Sequence, residues 1–166
     1  MCALVFNHRI QNRADTWVCP YRVPMQNCPM CSKWNDEPDL RIAELEHCLV
    51  MLNRDQFFPG YTFVFAKNHV TELFHLEREV RSAVMEEVSA VAAALYKLFQ
   101  PAKINYELLG NMVPHMHWHL VPRFTTDPLW PRPIWSEPHD EKLLSPAGYA
   151  ERIESIRKAT FATDTD

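Results

Sequence analysis

Glycine is scarce in this sequence: Gly60, Gly110 and Gly148 are the only three in 166 residues, and no two of them lie close together. The Walker-type phosphate loop and the dinucleotide fingerprint both need several glycines within a few positions, so that backbone N–H groups can approach a phosphate. Both are excluded, and any nucleotide chemistry must fall to side chains. No run approaches the eighteen or so consecutive apolar residues of a membrane span, and the N-terminus lacks a signal-peptide apolar region, so the expected location is cytoplasmic. Lysine and arginine do not cluster and the formal charge is −4, which leaves no electrostatic footprint for duplex nucleic acid or an anionic membrane surface. A small anionic ligand needs only local donors. The cysteines number five, an odd count without a secretory context, which argues against a disulfide framework and for metal ligation or free thiols. Repeats are absent, and a length of 166 with 47% hydrophobic residues predicts one compact domain.

The rest of the chain is organised around residues 114–123, Pro-His-Met-His-Trp-His-Leu-Val-Pro-Arg. Alternation with a period of two is the pattern of a half-buried strand, because successive side chains point to opposite faces. Met116, Trp118 and Leu120 are expected to face the core, with His115, His117 and His119 in a row on the other face. Such a row can span a phosphate and its substituents, or the coordination sphere of one metal ion. It can also be a polar strand face with no joint role.

Residues 1–27 show no periodicity and read as an extension over the domain. Cys28-Pro29-Met30-Cys31 follows, a spacing that points two thiolates at one metal from a tight turn. A redox dithiol and two unlinked thiols are the alternatives. Residues 40–45 and 48–52, separated by Glu46-His47, read as a hairpin. Residues 53–60 form a loop ending in Pro59-Gly60, and the aromatic and β-branched run 61–66 is a third strand. Val80, Val84, Val88, Val91, Leu95 and Leu98 recur at helical spacing and predict a long helix over 77–99, stopped by Pro101. Residues 104–109 are a fourth strand that turns at Gly110-Asn111, and the histidine strand is the fifth. The Pro- and Trp-rich stretch from 124 to 140 has no regular pattern. A short final helix begins near Pro146, with Ser145 as N-cap and Tyr149, Ile153 and Ile156 inward.

The run 115–123 resembles the alternating motif of the histidine triad (HIT) family. Asn53 before Pro59-Gly60-Tyr61 resembles that family's Asn before a Pro-Gly and strand, Lys67-Asn68-His69 its basic-x-His step, and Gly110-Asn111 its phosphate-side loop. The resemblance covers about residues 28–123. It implies an α+β fold with a five-stranded antiparallel sheet, a homodimer, and hydrolysis or transfer at the α-phosphate of a nucleotide. Met112 stands where the family often has Ser or Thr, Trp118 replaces a smaller aliphatic residue, and the tail carrying Trp130 and Trp135 is not a general family feature.

A neutral imidazole is a good nucleophile near pH 7. The resemblance therefore makes His117 the attacking group on the α-phosphorus, with His115 and His119 supporting the phosphate, Asn53 at the ribose, Asn111 at the phosphate side and Asn105 a weaker candidate in the same cleft. Adenylylated compounds of the dinucleoside polyphosphate type are the expected substrates, with no catalytic metal. A nucleotidyltransferase, a non-catalytic nucleotide-binding protein and a three-histidine metal site are the rival readings. Resemblance to zinc-containing members adds His69 and His115 to Cys28 and Cys31 as ligands of a structural zinc, with Cys19 and Cys48 as competing ligands.

Overall fold

The computed structural model describes residues 28–161, so the expected N-terminal extension and Cys19 lie outside the described residues. Five antiparallel strands form one sheet: β1 (Arg41–Glu44), β2 (Cys48–Leu52), β3 (Thr62–Ala66), β4 (Lys103–Glu107) and β5 (His117–Arg123). Their order in the sheet is β1-β2-β3-β5-β4. The helices are α1 (Pro29–Asp36), α2 (Arg78–Phe99) and α3 (Pro146–Phe161). Among the described residues, no helix is long and apolar enough to cross a membrane.

Register decides which residues share a face. Val64 pairs with Trp118, while Phe63 pairs with His119 and Phe65 with His117. One face therefore presents Val50, Leu52, Val64, Trp118, Leu120 and Ile104 to the helices, where they pack with Val84, Val88, Val91 and Leu95 of α2 and with Tyr149, Ile153 and Ile156 of α3. Burying a side chain of this size contributes about 1.5–3 kcal/mol. The α2 stripe is the expected one except at its end, where Leu98 is exposed and Ala92 and Ala94 are buried instead. Gln100 closes α2 in the left-handed region at φ 49°, one residue before the proline that cannot continue the helix. Ser145 Oγ accepts the Gly148 N–H at 3.1 Å, as an N-cap does at the third helical position. At 16 residues, α3 is longer than expected.

The loop between β2 and β3 is built on Gln56, whose side chain is fully buried. Its Nε2 donates to Asn53 O at 2.7 Å and Tyr61 O at 3.1 Å, and its Oε1 accepts from Gly60 N at 2.9 Å. Gly60 has φ 85°, and a Cβ there would lie 2.6 Å from the Phe99 ring, so no other residue fits this turn without a shift.

Two parts of the chain differ from the sequence reading. Cys28 is not in a tight turn but at the N-cap of α1, with Pro29 in the first turn, where a missing N–H costs nothing. The irregular stretch after β5, although it forms no regular element, folds back over the histidine face. There Leu129 and Ile134 build a second apolar cluster with Phe58, Tyr61 and Val121. The return is held by Arg123, which donates from Nε to Asp127 Oδ2 at 2.8 Å and from Nη1 to Arg132 O at 3.0 Å, while its guanidinium lies 5.1 Å from the Phe58 ring centroid. The side chains of the Arg123–Asp127 pair are 1% and 8% exposed. Removing one partner of a buried pair leaves an uncompensated charge. Asp127→Asn is expected to lower the unfolding free energy by about 3–5 kcal/mol, read by urea denaturation; a loss below about 1 kcal/mol, the range of surface pairs, would contradict this account of the tail.

Candidate active site

The row of three histidines splits in two. His117 and His119 lie in β5 and line a cavity of about 740 Å³, together with Phe63, the loop 109–113, Trp135 and the α1 residues Pro29, Met30, Ser32, Lys33, Asp36 and Glu37. His115 precedes the strand and does not line this cavity. Its Nε2–H donates to Ala66 O at 2.8 Å, which leaves the Nδ1 lone pair facing the Cys28 and Cys31 sulfurs at 3.5 and 3.4 Å.

His117 is held through Nδ1, which donates to the backbone carbonyl of His115 at 2.5 Å. That bond places the hydrogen on Nδ1 and the lone pair on Nε2. Tyr61 fixes His119 through a contact between its hydroxyl and Nδ1. Burial, with Glu107 and Asp55 adding to it, raises the Tyr61 pKa, so the phenol keeps its proton; when that proton is directed at Nδ1, the His119 hydrogen lies on Nε2. Burial, with His117 adding to it, lowers the His119 pKa to about 4. The two imidazoles lie 4.9 Å apart between ring centroids; His117 offers a lone pair at Nε2, and with the phenol donating to Nδ1, His119 offers an N–H.

Trp135, from the tail, stands edge-on to His119 at 5.3 Å and donates from Nε1 to Glu107. Phe63 meets His119 at 5.1 Å. Of the three asparagines singled out in the sequence, only Asn111 lines the cavity. Asn53 sits at the end of β2 with its backbone N–H on Tyr61 O at 2.9 Å, and Asn105 Nδ2 donates to Glu107 Oε1 at 3.4 Å. Tyr61, Phe63, Lys33, Glu37 and Trp135 had no motif of their own to mark them. Tyr61 follows the Pro-Gly step and Phe63 alternates with it, which is the one local signal that both belong to the histidine face.

The fourth group is Cys28, Cys31, His69 and His115, whose ligand atoms all lie within 4.8 Å of one another. His69 Nδ1 is 3.3 Å from Cys31 Sγ. Zinc bonds to sulfur and nitrogen set tetrahedral ligand–ligand edges of about 3.3–3.8 Å, and the three measured edges fall in that range. The donor set therefore fits one tetrahedral ion. Without an ion, burial and the neighbouring Cys28 push the Cys31 thiol up to about 11, and burial lowers His115 to about 4, so this imidazole is neutral and available as a ligand. Cys48 is buried in β2 and is not part of the group.

A five-stranded antiparallel sheet with α2 and α3 on one face, a histidine pair on the other and a Cys2His2 cluster beside it defines a class of small proteins with an imidazole-lined cleft. The HIT domain family matches residues 35–126, and the chain belongs to it. Protein hit of Bacillus subtilis is 30% identical over 105 residues, covering 60% of this chain and 72% of its own. Adenylylsulfatase HINT3 of Arabidopsis thaliana is 27% identical over 113 residues, covering 64% of this chain and 57% of its own. The crystal structure of a histidine triad protein from Sinorhizobium meliloti superposes with a TM-score of 0.70 at 25% identity, over 82% of this chain and 99% of that one.

The pH dependence of stability follows from His119. Its folded pKa, about 4, lies below the unfolded value of about 6.5, so between these limits the unfolded chain binds more protons and stability rises with pH. The contribution is complete above about pH 6.5 and is lost as pH falls toward 4. Melting temperature is expected to fall across this window, and less steeply in His119→Gln; parallel profiles for the two proteins would show that His119 is not buried neutral.

Proposed function

We propose that this protein is a nucleotide hydrolase that cleaves at the α-phosphate of nucleotidyl compounds, adenylylated ones of the dinucleoside polyphosphate type among them, through a covalent nucleotidyl-histidine intermediate. The observation that carries this reading is the bond from His117 Nδ1–H to the His115 carbonyl, which leaves Nε2 as the nucleophilic atom at the cavity. His117 Nε2 attacks the α-phosphorus, the P–N bond forms, and the bond to the leaving oxygen breaks with its electron pair. The His119 N–H and Asn111 stabilise the non-bridging oxygens, as electrostatic catalysis requires. Water then attacks the same phosphorus, the P–N bond breaks, and a nucleoside monophosphate departs. None of these steps needs a catalytic metal. Met112, 93% exposed at the cavity, donates no hydrogen bond, which favours leaving groups that depart without protonation, such as phosphates and mixed anhydrides. The adenylylsulfatase relative supports hydrolysis of an anhydride of this kind.

His117→Asn is expected to lose several decades of turnover, as covalent catalysts do without their nucleophile, with its melting temperature little changed. Release of nucleoside monophosphate from a dinucleoside polyphosphate measures this, and near-wild-type release overturns the assignment.

In the same reading, Cys28, Cys31, His69 and His115 hold a structural zinc whose four protein ligands leave no open position for water. His115 therefore serves the metal, and its phosphate-binding share falls to His119 and Asn111. The two protomers of a homodimer meet along β4, which has a strand neighbour on one side only and exposes Tyr106. Elemental analysis is expected to give about one zinc per chain, falling in Cys28→Ser together with the melting temperature; protein free of zinc at full stability contradicts the site.

A further inference from the structure

The cavity has two unlike sets of lining residues. The loop 109–113 contributes Gly110 and Asn111, small and amide-bearing, with Met112 and Val113. The C-terminal end of α1 contributes Lys33, Asp36 and, at its C-cap, Glu37, with Lys33 beside the Phe63 ring. Lys33 Nζ is 5.6 Å from that ring's centroid and 2.8 Å from Glu37 Oε2, with the two side chains only 19% and 30% exposed. Glu37 is itself fixed, since its backbone N–H donates to Lys33 O at 3.0 Å.

Two carboxylates against one ammonium give the α1 end a net negative charge, which repels phosphate oxygens. What suits it is a flat, neutral group with an apolar face for Phe63 and an edge rich in N–H donors. That excludes the polyphosphate from this end and assigns it the base.

We propose that Lys33 and Glu37 read the base of the nucleotide and make the site prefer guanine. The inference rests on the nucleotide reading given above and concerns which nucleotide is bound. Guanine presents N1–H and N2–H2 side by side, which match the two oxygens of the Glu37 carboxylate, and O6 next to them, which accepts from Lys33. Adenine offers one amino group and ring nitrogens, so it can pair with only one carboxylate oxygen. Hypoxanthine keeps N1–H and O6 but lacks the 2-amino group, and falls between. Bidentate recognition of a base edge is worth a factor of about ten to a hundred, and charge-assisted bonds lie at the strong end of such interactions.

The test is binding of GMP, IMP and AMP to the full chain by titration calorimetry, which needs no turnover. GMP is expected to bind at least about tenfold tighter than AMP, with IMP between them. Glu37→Gln keeps the shape but loses the second oxygen acceptor, and is expected to bring GMP to within about threefold of AMP while AMP affinity changes little. Lys33→Met is expected to weaken GMP and IMP, which share O6, by a similar factor to each other. Equal affinity for GMP and AMP in the wild-type protein, or a preference that survives Glu37→Gln, overturns the guanine assignment and leaves the hydrolase reading standing. Failure of all three nucleotides to bind overturns both.

Discussion

The hydrogen bond from His117 Nδ1 to the His115 carbonyl is the contact on which the rest of this site depends. His115 is tied at three points: its carbonyl to His117, its Nε2 to Ala66 O at the end of β3, and its Nδ1 to the cysteine pair of α1. The main chain at residue 115 therefore cannot drift without breaking the cysteine–histidine cluster, and the orientation of the His117 imidazole is set by a carbonyl that is itself anchored. A cysteine–histidine cluster beside β5 can thus orient a ring in the cleft without lining it, in the way that groups behind a metal-bound imidazole orient it. Only the strand-end geometry allows this. His115 lies two residues before β5 begins, and its ring meets the Cys28 and Cys31 sulfurs rather than lining the cleft.

The opposite side of the cleft is controlled by the tail. Arg123 ends β5 and is almost fully buried, with Asp127, the Arg132 carbonyl and the Phe58 ring around it. A buried guanidinium is costly unless its donors are satisfied, and folding the tail back supplies acceptors for Nε and Nη1, while Nη2 has no hydrogen-bond partner among the described residues. The consequence is a second apolar cluster on the histidine face and the arrival of Trp135 against His119. That cover raises the fraction of the imidazoles removed from water, and burial is the leading cause of the low His119 pKa. The tail thus contributes to the neutral state in which His119 serves as a donor.

Most of the strands were legible because their signals are local. The β-branched and aromatic run 61–66, the alternation over 115–120, the turn residues at Pro59-Gly60 and the 3- and 4-residue spacing over 80–95 each depend only on neighbours in sequence, and the structure contains each element within a few residues of its expected limits. The α1 helix was missed because it is eight residues long, opens on a cysteine rather than a capping side chain, and owes its stability to the cluster and to Arg41, which donates to Trp34 O and lies 4.8 Å from the Trp34 ring. Leu98 was misplaced because the α2 stripe outlasts the sheet it covers.

By itself, the sequence determined the chemistry available: imidazoles at alternate positions, a Cys-x-x-Cys pair, and too few glycines for a backbone phosphate cradle. These are matters of composition and spacing, and the family itself is legible through the resemblance of residues 115–123 to the histidine triad motif. Tertiary structure decided how the imidazoles are divided. Three histidines two residues apart are equivalent on paper, and it is the point at which β5 leaves the ladder, two residues after His115, that sends one to the cysteines and two to the cleft. Tertiary structure also brought Lys33, Glu37, Phe63 and Trp135 to the same cavity from α1, β3 and the tail, with Tyr61 behind His119. Their sequence separations run to about a hundred residues, and no local period links positions that meet only when the sheet is paired and α1 and the stretch after β5 reach the same cavity.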